Sequence, residues 1–438
     1  LDKMLKKKLI LGIGITGMSC IEFFNEKNIP YKIFDTRNKN HFDNYNFKNI
    51  NNKNLFFEKY DDNILRDVDE VIISPGLDKK HKIFSEINRL EIKIITDIDI
   101  FKRYYKGKII SVTGTNGKTT VVSMLEHALL EIGYKPIACG NNGVPPLSII
   151  NESYDYIILE LSSYQLEYMS DLQSYISIIT NIDYDHMERH NSIANYVMIK
   201  SRIYNDSRFK LAADSTIYLL DNIHDLKSYG LSSSGEVIIR NNTVKSITYD
   251  GFNIFYKKMK LKNKGKHNLN NILCVISVLD IIKVDIDSAF RSLDNYSYLP
   301  HRIELIDTPD KINWYNDSKS TNCASTKAAL EYLNENIILI LGGSRKDMQY
   351  GSLSSLINNK VKLLVFIGEN KEYIKAQLKT NIKMIDAESI ESAVKISQSH
   401  SKENDNILLS PASPSFDMFE NYEKRGAAFV SAVQDVVK

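Results

Sequence analysis

Ile109-Ile110-Ser111-Val112-Thr113-Gly114-Thr115-Asn116-Gly117-Lys118-Thr119-Thr120 sets a short apolar run against a glycine-rich turn that ends in Lys-Thr-Thr. The run at 109–112 predicts a buried strand, and the periodic apolar segment reaching about residue 132 predicts a helix after the turn. Such a turn lays successive backbone N–H groups round phosphate oxygens. A lysine at position 118 reaches the β/γ phosphates, and a threonine at 119 can ligate Mg²⁺. Val112 occupies the place of the first glycine in the G-x-x-x-x-G-K-[ST] pattern. The phosphate reading holds nonetheless, because a plain glycine turn has no use for Lys118-Thr119-Thr120.

Downstream, Tyr156-Ile157-Ile158-Leu159-Glu160 is a second apolar strand that ends in an acid. A surface acid is the bland reading of Glu160. Its position at the same sheet edge as the phosphate loop makes it a Mg²⁺ ligand instead. A strand at 176–180 runs into Asp183-Tyr184-Asp185-His186, placing His186 in the same layer as a second candidate ligand.

Upstream, strands are expected at 9–13, 31–34, 71–74 and 92–95, with helical stretches such as 19–27 between them. Gly12-Ile13-Gly14-Ile15-Thr16-Gly17 is a G-x-G-x-x-G after the first of these strands, and Asp35-Thr36-Arg37 closes the second. By itself this loop suits any nucleotide diphosphate at a helix N-terminus, NAD included. Ser74-Pro75-Gly76 ends a third strand at the same edge. Beyond Leu299-Pro300-His301-Arg302, strands are expected at 312–315, 337–341, 363–367 and 407–409, with a terminal helix at about 422–437. Alternating strands and helices predict mostly parallel sheets. The expected architecture is three consecutive α/β domains: Rossmann-like over 1–96, P-loop ATPase-like over 97–299, and Rossmann-like over 300–438.

Composition agrees with this division. The 438 residues suit about three domains at ~150 residues each. Lys+Arg is 56 against Asp+Glu 54, so no global field favours nucleic acid or a membrane. The lysine run at 257–266 is expected to be a solvated hairpin face. Cys20, Cys139, Cys274 and Cys323 are scattered without metal or redox spacing, which fits a reducing cytosol. No apolar run approaches the ~18 residues of a membrane span. Lys6-Lys7-Lys8 before Leu9-Ile10-Leu11 imitates a secretory leader, but Gly12, Gly14 and Gly17 interrupt it and no leader is expected. The chain starts with Leu1, so either Met4 or a non-AUG codon is the start.

Taken in order, these motifs resemble the Mur ligases of peptidoglycan synthesis along essentially the whole chain. The other marks of the resemblance are Gly140-Asn141-Asn142-Gly143, Leu161-Ser162-Ser163-Tyr164-Gln165-Leu166, Lys200-Ser201-Arg202, and His267-Asn268 with Asn271. The last third adds Asn316-Asp317-Ser318-Lys319-Ser320-Thr321-Asn322, Gly342-Gly343, and Ser410-Pro411-Ala412 with Ser415-Phe416-Asp417. The branch it is most similar to joins D-glutamate to UDP-N-acetylmuramoyl-L-alanine by way of an acyl phosphate.

The resemblance implies ATP with two Mg²⁺, and a monomeric enzyme of the bacterial cytoplasm. It assigns the UDP-sugar to Ile15, Thr16, Gly17, Asp35, Thr36, Arg37, Ser74, Gly76, Asn141 and Ser162. It assigns ATP to Gly114, Thr115, Asn116, Gly117, Lys118, Thr119 and Thr120, with Asn268 and Asn271 at the adenine and Arg302, Asp317 and Lys319 from the third domain. Thr119, Glu160, His186 and Lys200 would serve the metals, Lys200 as its CO₂ carbamate. Lys118, Glu160, His186 and Lys200 are thus the catalytic set. Thr321, Lys346, Ser415 and Tyr422 would hold D-glutamate. Tyr422 stands where the family commonly has Phe, and Ser413-Pro414 is unusual before Ser415.

Two other functions compete. A folylpolyglutamate-type ligase shares the last two domains but has no need of Asp35-Thr36-Arg37 on a first one. An NAD oxidoreductase explains the first glycine loop and leaves Lys118 and Glu160 idle.

Overall fold

The computed structural model describes residues 6–42, 52–74, 77, 81–141, 143–170, 172–231, 237–240, 247–249, 266–293, 295–297 and 299–437. Gly76 lies outside these residues, as does Asn142, and the side chains of the lysine run at 257–266 are likewise outside the description.

The strands fall into three sheets. The first holds β1 Lys7–Leu11, β2 Tyr31–Asp35, β3 Leu55–Phe57, β4 Val68–Ile73 and β5 Lys93–Ile95, all parallel, in the order β3-β2-β1-β4-β5. The second holds β6 Ile109–Thr113, β7 Pro136–Gly140, β8 Tyr156–Glu160, β9 Ile176–Ile179, β10 Phe209–Ala213, β11 Leu226–Leu231, β12 Val237–Arg240 and β13 Ile247–Tyr249. Its order is β13-β12-β11-β10-β9-β6-β8-β7, parallel from β7 to β11 and antiparallel beyond. The third holds β14 Glu304–Ile306, β15 Asn313–Asn316, β16 Ile337–Gly342, β17 Val361–Ile367, β18 Met384–Asp386 and β19 Asn406–Leu409. Its order is β14-β15-β19-β16-β17-β18, antiparallel only at β14. Three mostly parallel α/β sheets are the expected architecture.

The central strands of each sheet are apolar throughout because helices cover both faces. All six residues of β16 are buried, as are all five of β6. The order of each α/β sheet reverses beside one strand, and ligands enter at the carboxyl ends there. In the first sheet that strand is β1, which ends at the Gly12 loop. In the second it is β6, which ends at the Gly114 loop.

Some boundaries differ from expectation. The helix after the first glycine loop begins at Ile15, not at residue 19, because the glycine loop itself leads directly into the first turn. Gly17 sits in that turn, and a Cβ there would lie 2.2 Å from the Gly12 carbonyl oxygen, so only glycine lets helix and loop approach this closely. Strand β1 stops at Leu11, and Gly12 and Ile13 belong to the turn.

One apolar cluster spans the first two sheets, each of which has a further cluster on its other face. Helix Asp97–Tyr104 is started by a capping box in which Thr96 and Asp99 satisfy each other's orphan groups. Its Ile98 and Phe101 pack in a single apolar cluster with Ile10 and Ile33 of the first sheet and Ile157 and Leu159 of the second. The apolar clusters on either side of the third sheet contain only residues from 303 onward. The last domain therefore meets the others through polar groups. Among the described residues no helix is long and apolar enough to cross a membrane.

Candidate active site

A cleft of about 420 Å³ lies between the second and third sheets, lined by Lys118, Thr119, Glu160 and His186 on one side and Arg302, Asp317, Lys319 and Thr321 on the other. The glycine loop forms its floor. Gly117 adopts φ +82°, and a Cβ there would sit 2.7 Å from Asn271 Oδ1, so glycine both makes the turn and admits Asn271 beside it. The loop is pinned from behind by the end of β9. Asn181 accepts the N–H of Asn116 at 2.8 Å and of Thr115 at 2.9 Å, and the Thr180 hydroxyl donates to the Asn116 carbonyl at 2.6 Å. The Thr115 hydroxyl accepts the Asp183 N–H at 2.9 Å, so it serves the loop's shape. Lys118 folds over the loop and donates to the carbonyl oxygens of Gly114 and Thr115, both at 2.9 Å. Burial lowers its pKa, against the pull of Glu160 and Asp185.

Glu160 is 1% exposed at the tip of β8. Its Oε1 accepts from Asn141 Nδ2 at 3.0 Å, while its Oε2 is buried with no hydrogen-bond partner among the described residues. A buried carboxyl oxygen left in this way is costly unless a donor or a cation meets it. Among the described residues no three His, Cys, Asp or Glu side chains form a metal cage. A divalent ion beside the phosphates would therefore rest on few protein ligands, as Mg²⁺ does at nucleotides. The orphaned Glu160 oxygen and the hydroxyl of Thr119 on the cleft wall fit that requirement.

His186 takes a left-handed backbone, φ 58°, at the start of the short helix Met187–His190. It lines the cleft, with Tyr164 and Glu188 on its Nδ1 side. Lys200 is not the solvated helix lysine of a blind reading. It is 1% exposed behind the glycine loop, and its ammonium donates to the Gly114 carbonyl at 2.8 Å and contacts Thr113 Oγ1 at 3.2 Å. Burial, then repulsion from Lys118, drives its pKa well below the ordinary lysine value. A neutral amine is the form that reacts with CO₂.

The third domain presents its groups from the carboxyl ends of β15 and β19. Asp317 is buried and accepts from Ser320 Oγ at 2.5 Å, Ser410 Oγ at 2.7 Å and the Ile303 N–H at 3.2 Å. Burial raises its pKa to about 7 despite these bonds. The Lys319 ammonium lies 3.6 Å from the centre of the Tyr422 ring. Burial, then the charge of Arg302, lowers its pKa to about 8. Asn268 and Asn271 are buried in the cleft wall, on the helix Lys266–Ile281.

Of the four residues expected to hold the amino acid, Thr321 lines this cleft, while Lys346, Ser415 and Tyr422 are not among the residues that line it. Lys346 is paired with Asp185 of the second domain, Nζ to Oδ1 2.5 Å, with little exposure on either side. Burial would raise the pKa of Asp185, but His186 and Lys346 hold it low. Asn322 Nδ2 donates to Asp185 Oδ2 at 3.1 Å and to Asn116 Oδ1 at 3.2 Å, and Ser325 Oγ donates to Asn116 Oδ1 at 2.8 Å. Phosphate loop and third domain are thus latched through Asn116 and Asp185.

At the first glycine loop, Ile15 is 75% exposed and the helix Ile15–Glu26 opens its N-terminus outward. Asp35 is buried and accepts the Ile13 N–H at 2.6 Å, the Arg37 N–H at 2.9 Å and Arg37 Nη2 at 2.8 Å. Burial favours its neutral form, but the Arg37 and Ile13 hydrogen bonds outweigh that and lower its pKa. Asp35 thereby braces the loop, and Arg37 is the group of the pair that faces solvent. Thr36 lies beside them, half-buried, and Ser74 Oγ donates to the Gly12 carbonyl at 3.0 Å. Ser162 is engaged elsewhere: its side chain and that of Gln165 form the capping box of helix Ser163–Tyr168. The spacing Ser-x-x-Gln carries that signal in the sequence.

Asn181, Asp185, Asn322 and Ser325 complete the site and were not among the expected site residues. Asn181 and Asp185 lie in the loop that follows β9, Asn322 caps helix Cys323–Tyr332, and Ser325 stands in its first turn.

Three family models match the chain: Mur ligase MurD-like, N-terminal domain at residues 6–96, Mur ligase middle domain at 112–279, and Mur ligase, glutamate ligase domain at 301–413. The chain is 34% identical over 436 residues to the UDP-N-acetylmuramoylalanine–D-glutamate ligase of Coxiella burnetii, covering 97% of this chain and 98% of the relative. It is also 34% identical over 445 residues to the enzyme of that name from Buchnera aphidicola, covering 98% of each. Among solved structures, a pseudomurein peptide ligase type C from Methanothermus fervidus superposes with a TM-score of 0.63 at 17% identity, covering 99% of this chain and 100% of the other. A UDP-N-acetylmuramate-alanine ligase from Thermotoga maritima superposes with a TM-score of 0.60 at 18% identity, covering 98% of this chain and 99% of the other.

Proposed function

The chain belongs to the Mur ligase family, and from that premise we propose that it joins D-glutamate to UDP-N-acetylmuramoyl-L-alanine at the expense of ATP. The reaction is an amide-forming step of peptidoglycan precursor synthesis, carried out by a monomer in the bacterial cytoplasm. The observation that carries this reading is the cleft in which a phosphate loop and Glu160 face Arg302, Asp317 and Lys319 of another domain.

A carboxylate resists attack by an amine because oxide is a poor leaving group. Phosphorylation removes that obstacle. The substrate carboxylate oxygen attacks the γ-phosphorus, the bond to ADP breaks, and an acyl phosphate results. The free amine of D-glutamate then adds to the acyl carbon, and the tetrahedral intermediate collapses with loss of phosphate. Phosphoryl transfer of this kind is mostly positioning and charge neutralisation. Lys118 and the N–H groups of residues 114–120 neutralise the β/γ phosphates. Asn268 and Asn271 meet the adenine, and Arg302, Asp317 and Lys319 meet the nucleotide from the third domain. Closure of that domain excludes water from the acyl phosphate.

Glu160 and Thr119 would hold one Mg²⁺ and His186 with carbamylated Lys200 a second, which would neutralise phosphate charge and polarise the phosphoryl group. The first domain holds the UDP-sugar, its diphosphate at residues 15–17 and its base near Asp35, Thr36 and the exposed Arg37; Ser74, Gly76, Asn141 and Ser162 belong to the same substrate's path. Thr321, Lys346, Ser415 and Tyr422 hold D-glutamate, and Lys346 then exchanges Asp185 for a substrate carboxylate. Domain limits of 1–96, 97–299 and 300–438 follow from these roles.

The test is ADP release measured with UDP-N-acetylmuramoyl-L-alanine, D-glutamate and Mg-ATP. The proposal requires release that depends on both acceptor and amino acid. Release that ignores D-glutamate, or accepts a folate in place of the UDP-sugar, refutes it.

A further inference from the structure

His186 can present only one of its ring nitrogens to the cleft. The Tyr164 hydroxyl lies 2.9 Å from Nδ1, and Glu188 Oε1 is 3.4 Å from the same atom. Nδ1 is therefore occupied from the protein side. Among the described residues Nε2 has no such neighbour; the nearest carboxylate oxygen there, Asp185 Oδ2, is 3.7 Å away, beyond hydrogen-bond reach.

The ring is also fixed in direction. The left-handed backbone of His186, φ 58°, aims the side chain, and its N–H donates to Asp185 Oδ1 at 2.9 Å. Tyr164 in turn is held in place. Its ring meets the imidazole edge-on with centroids 5.0 Å apart, and the Arg189 guanidinium lies 4.5 Å from its centroid. Arg189 is itself anchored, Nε to Glu167 Oε2 at 2.9 Å. A braced chain thus runs from Glu167 through Arg189 and Tyr164 to one nitrogen of His186.

We propose that Tyr164 is a positioning residue for the cation site: its hydroxyl, with Glu188, keeps the His186 proton on Nδ1 and leaves Nε2 unprotonated to meet a divalent ion. A histidine ligates through the nitrogen that carries no proton, and the partner of the other nitrogen decides which that is. The neutral phenol takes the proton side without placing a full charge there, and the acid of Glu188 stands behind it at longer range. This inference rests on the reading of His186 as a cation ligand, so its test separates the two.

Tyr164→Phe removes one oxygen and keeps the ring that packs on His186 and Arg189, so the fold is preserved. Two measurements are made on wild type, Tyr164→Phe and His186→Gln. The first is Mn²⁺ affinity of the full-length protein, followed by electron paramagnetic resonance of the free ion. The second is ¹⁵N NMR of histidine-labelled protein without metal, with His186 identified from its loss in His186→Gln. Orienting partners of metal-bound histidines are worth ten- to a hundredfold in affinity. With Glu188 still in place, Tyr164→Phe is expected at the lower end, about tenfold weaker. The NMR is expected to place the proton on Nδ1 in wild type and to move it wholly or partly to Nε2 in Tyr164→Phe. Unchanged Mn²⁺ affinity in Tyr164→Phe, with affinity lost in His186→Gln, overturns the positioning role alone. Unchanged affinity in both variants removes His186 as a ligand, and the proposal with it. A wild-type proton on Nε2 also overturns the proposal.

Discussion

Asp185→Asn should improve the apparent affinity for D-glutamate. Lys346, proposed to receive a substrate carboxylate, is paired with Asp185 at 2.5 Å, with both side chains about nine-tenths buried. When D-glutamate takes Lys346, one carboxylate replaces another, so the ammonium loses little. The cost falls on Asp185, which is left in the cleft with the Asn322 amide at 3.1 Å and the His186 N–H at 2.9 Å as its remaining partners. A hydrogen bond to a charged group contributes about 1.5–3 kcal/mol. The polar cleft puts the loss of this one near the lower end, at ~1.5 kcal/mol. Asn is isosteric and leaves no stranded charge: its Oδ1 can still accept the His186 N–H, and Asn322 Nδ2, losing its acceptor here, retains Asn116 Oδ1. The D-glutamate KM should therefore fall by roughly tenfold, since ~1.4 kcal/mol is a factor of ten, while the KM for ATP changes by much less. Steady-state kinetics with ADP release as the readout measures both. Lys346→Ala should act in the opposite direction, raising the D-glutamate KM far above any change for ATP, because it leaves Asp185 unpaired to repel the incoming acid. The reasoning is refuted if Asp185→Asn raises both KM values in step. Lys346 would then be part of the domain latch and not an anchor for the amino acid.

Four further outcomes are expected. Lys118→Ala should reduce turnover by at least about a hundredfold, the scale of losing one group aimed at transition-state charge, while the circular dichroism spectrum and melting point stay close to wild type. Lys200→Ala should be nearly inactive, and millimolar acetate should restore part of the rate by supplying the missing carboxylate; full activity without acetate would eliminate the carbamate. Gly17→Ala should raise the KM for the UDP-sugar sharply and lower the melting point, because its Cβ would press on the Gly12 carbonyl at 2.2 Å. Asp97, buried with one carboxylate oxygen unpartnered, has its pKa raised by burial to about 7. Its folded value lies above the unfolded one, so its contribution to stability is present at pH 4 and is lost as pH rises through 7. Asp97→Asn should flatten that decline by an amount on the order of 3 kcal/mol, read from urea unfolding at pH 4 and pH 8; parallel pH curves for both proteins would contradict it.

The parts of the molecule legible in the sequence are those governed by local pattern. Fully buried strands such as β6 and β16 are unbroken apolar runs, and the loops after β1 and β6 announce themselves by glycine spacing. Edge strands other than β5 were not legible. β3 is only Leu55–Phe57, with each residue partly exposed, and β7 begins with Pro136, a residue that argues against a strand unless it is the first. The expected site residues of the phosphate loop and its neighbours, Lys118, Thr119, Glu160 and His186, do converge on one cleft, because carboxyl ends of parallel strands share an edge. What lay beyond reach was the set of contacts that join distant segments. Asn116 and Asn322 are 206 positions apart, and Asp185 and Lys346 are 161 apart. No local spacing encodes such pairs. Ser162, expected at the UDP-sugar, also carries a short-range capping signal, Ser-x-x-Gln, which the structure uses. Asp35 braces its loop from within while Arg37 takes the outward position.

The single apolar cluster spanning the first two sheets, set against separate clusters for the third, has a consequence for how the protein melts. Helix Asp97–Tyr104 cannot leave one sheet without exposing the other, so the first two domains should unfold as one cooperative block. The third domain carries its own core and is held to that block, among the described residues, by hydrogen bonds and the Lys346–Asp185 ion pair. Calorimetry should accordingly resolve a smaller transition for the carboxyl-terminal third and a larger one for the rest. Ligands that bridge the cleft should draw the two together, since their binding energy is released only while both blocks stay folded. An enzyme built in this way couples its heat tolerance to its substrates: saturated, it melts as one body, and starved, as two.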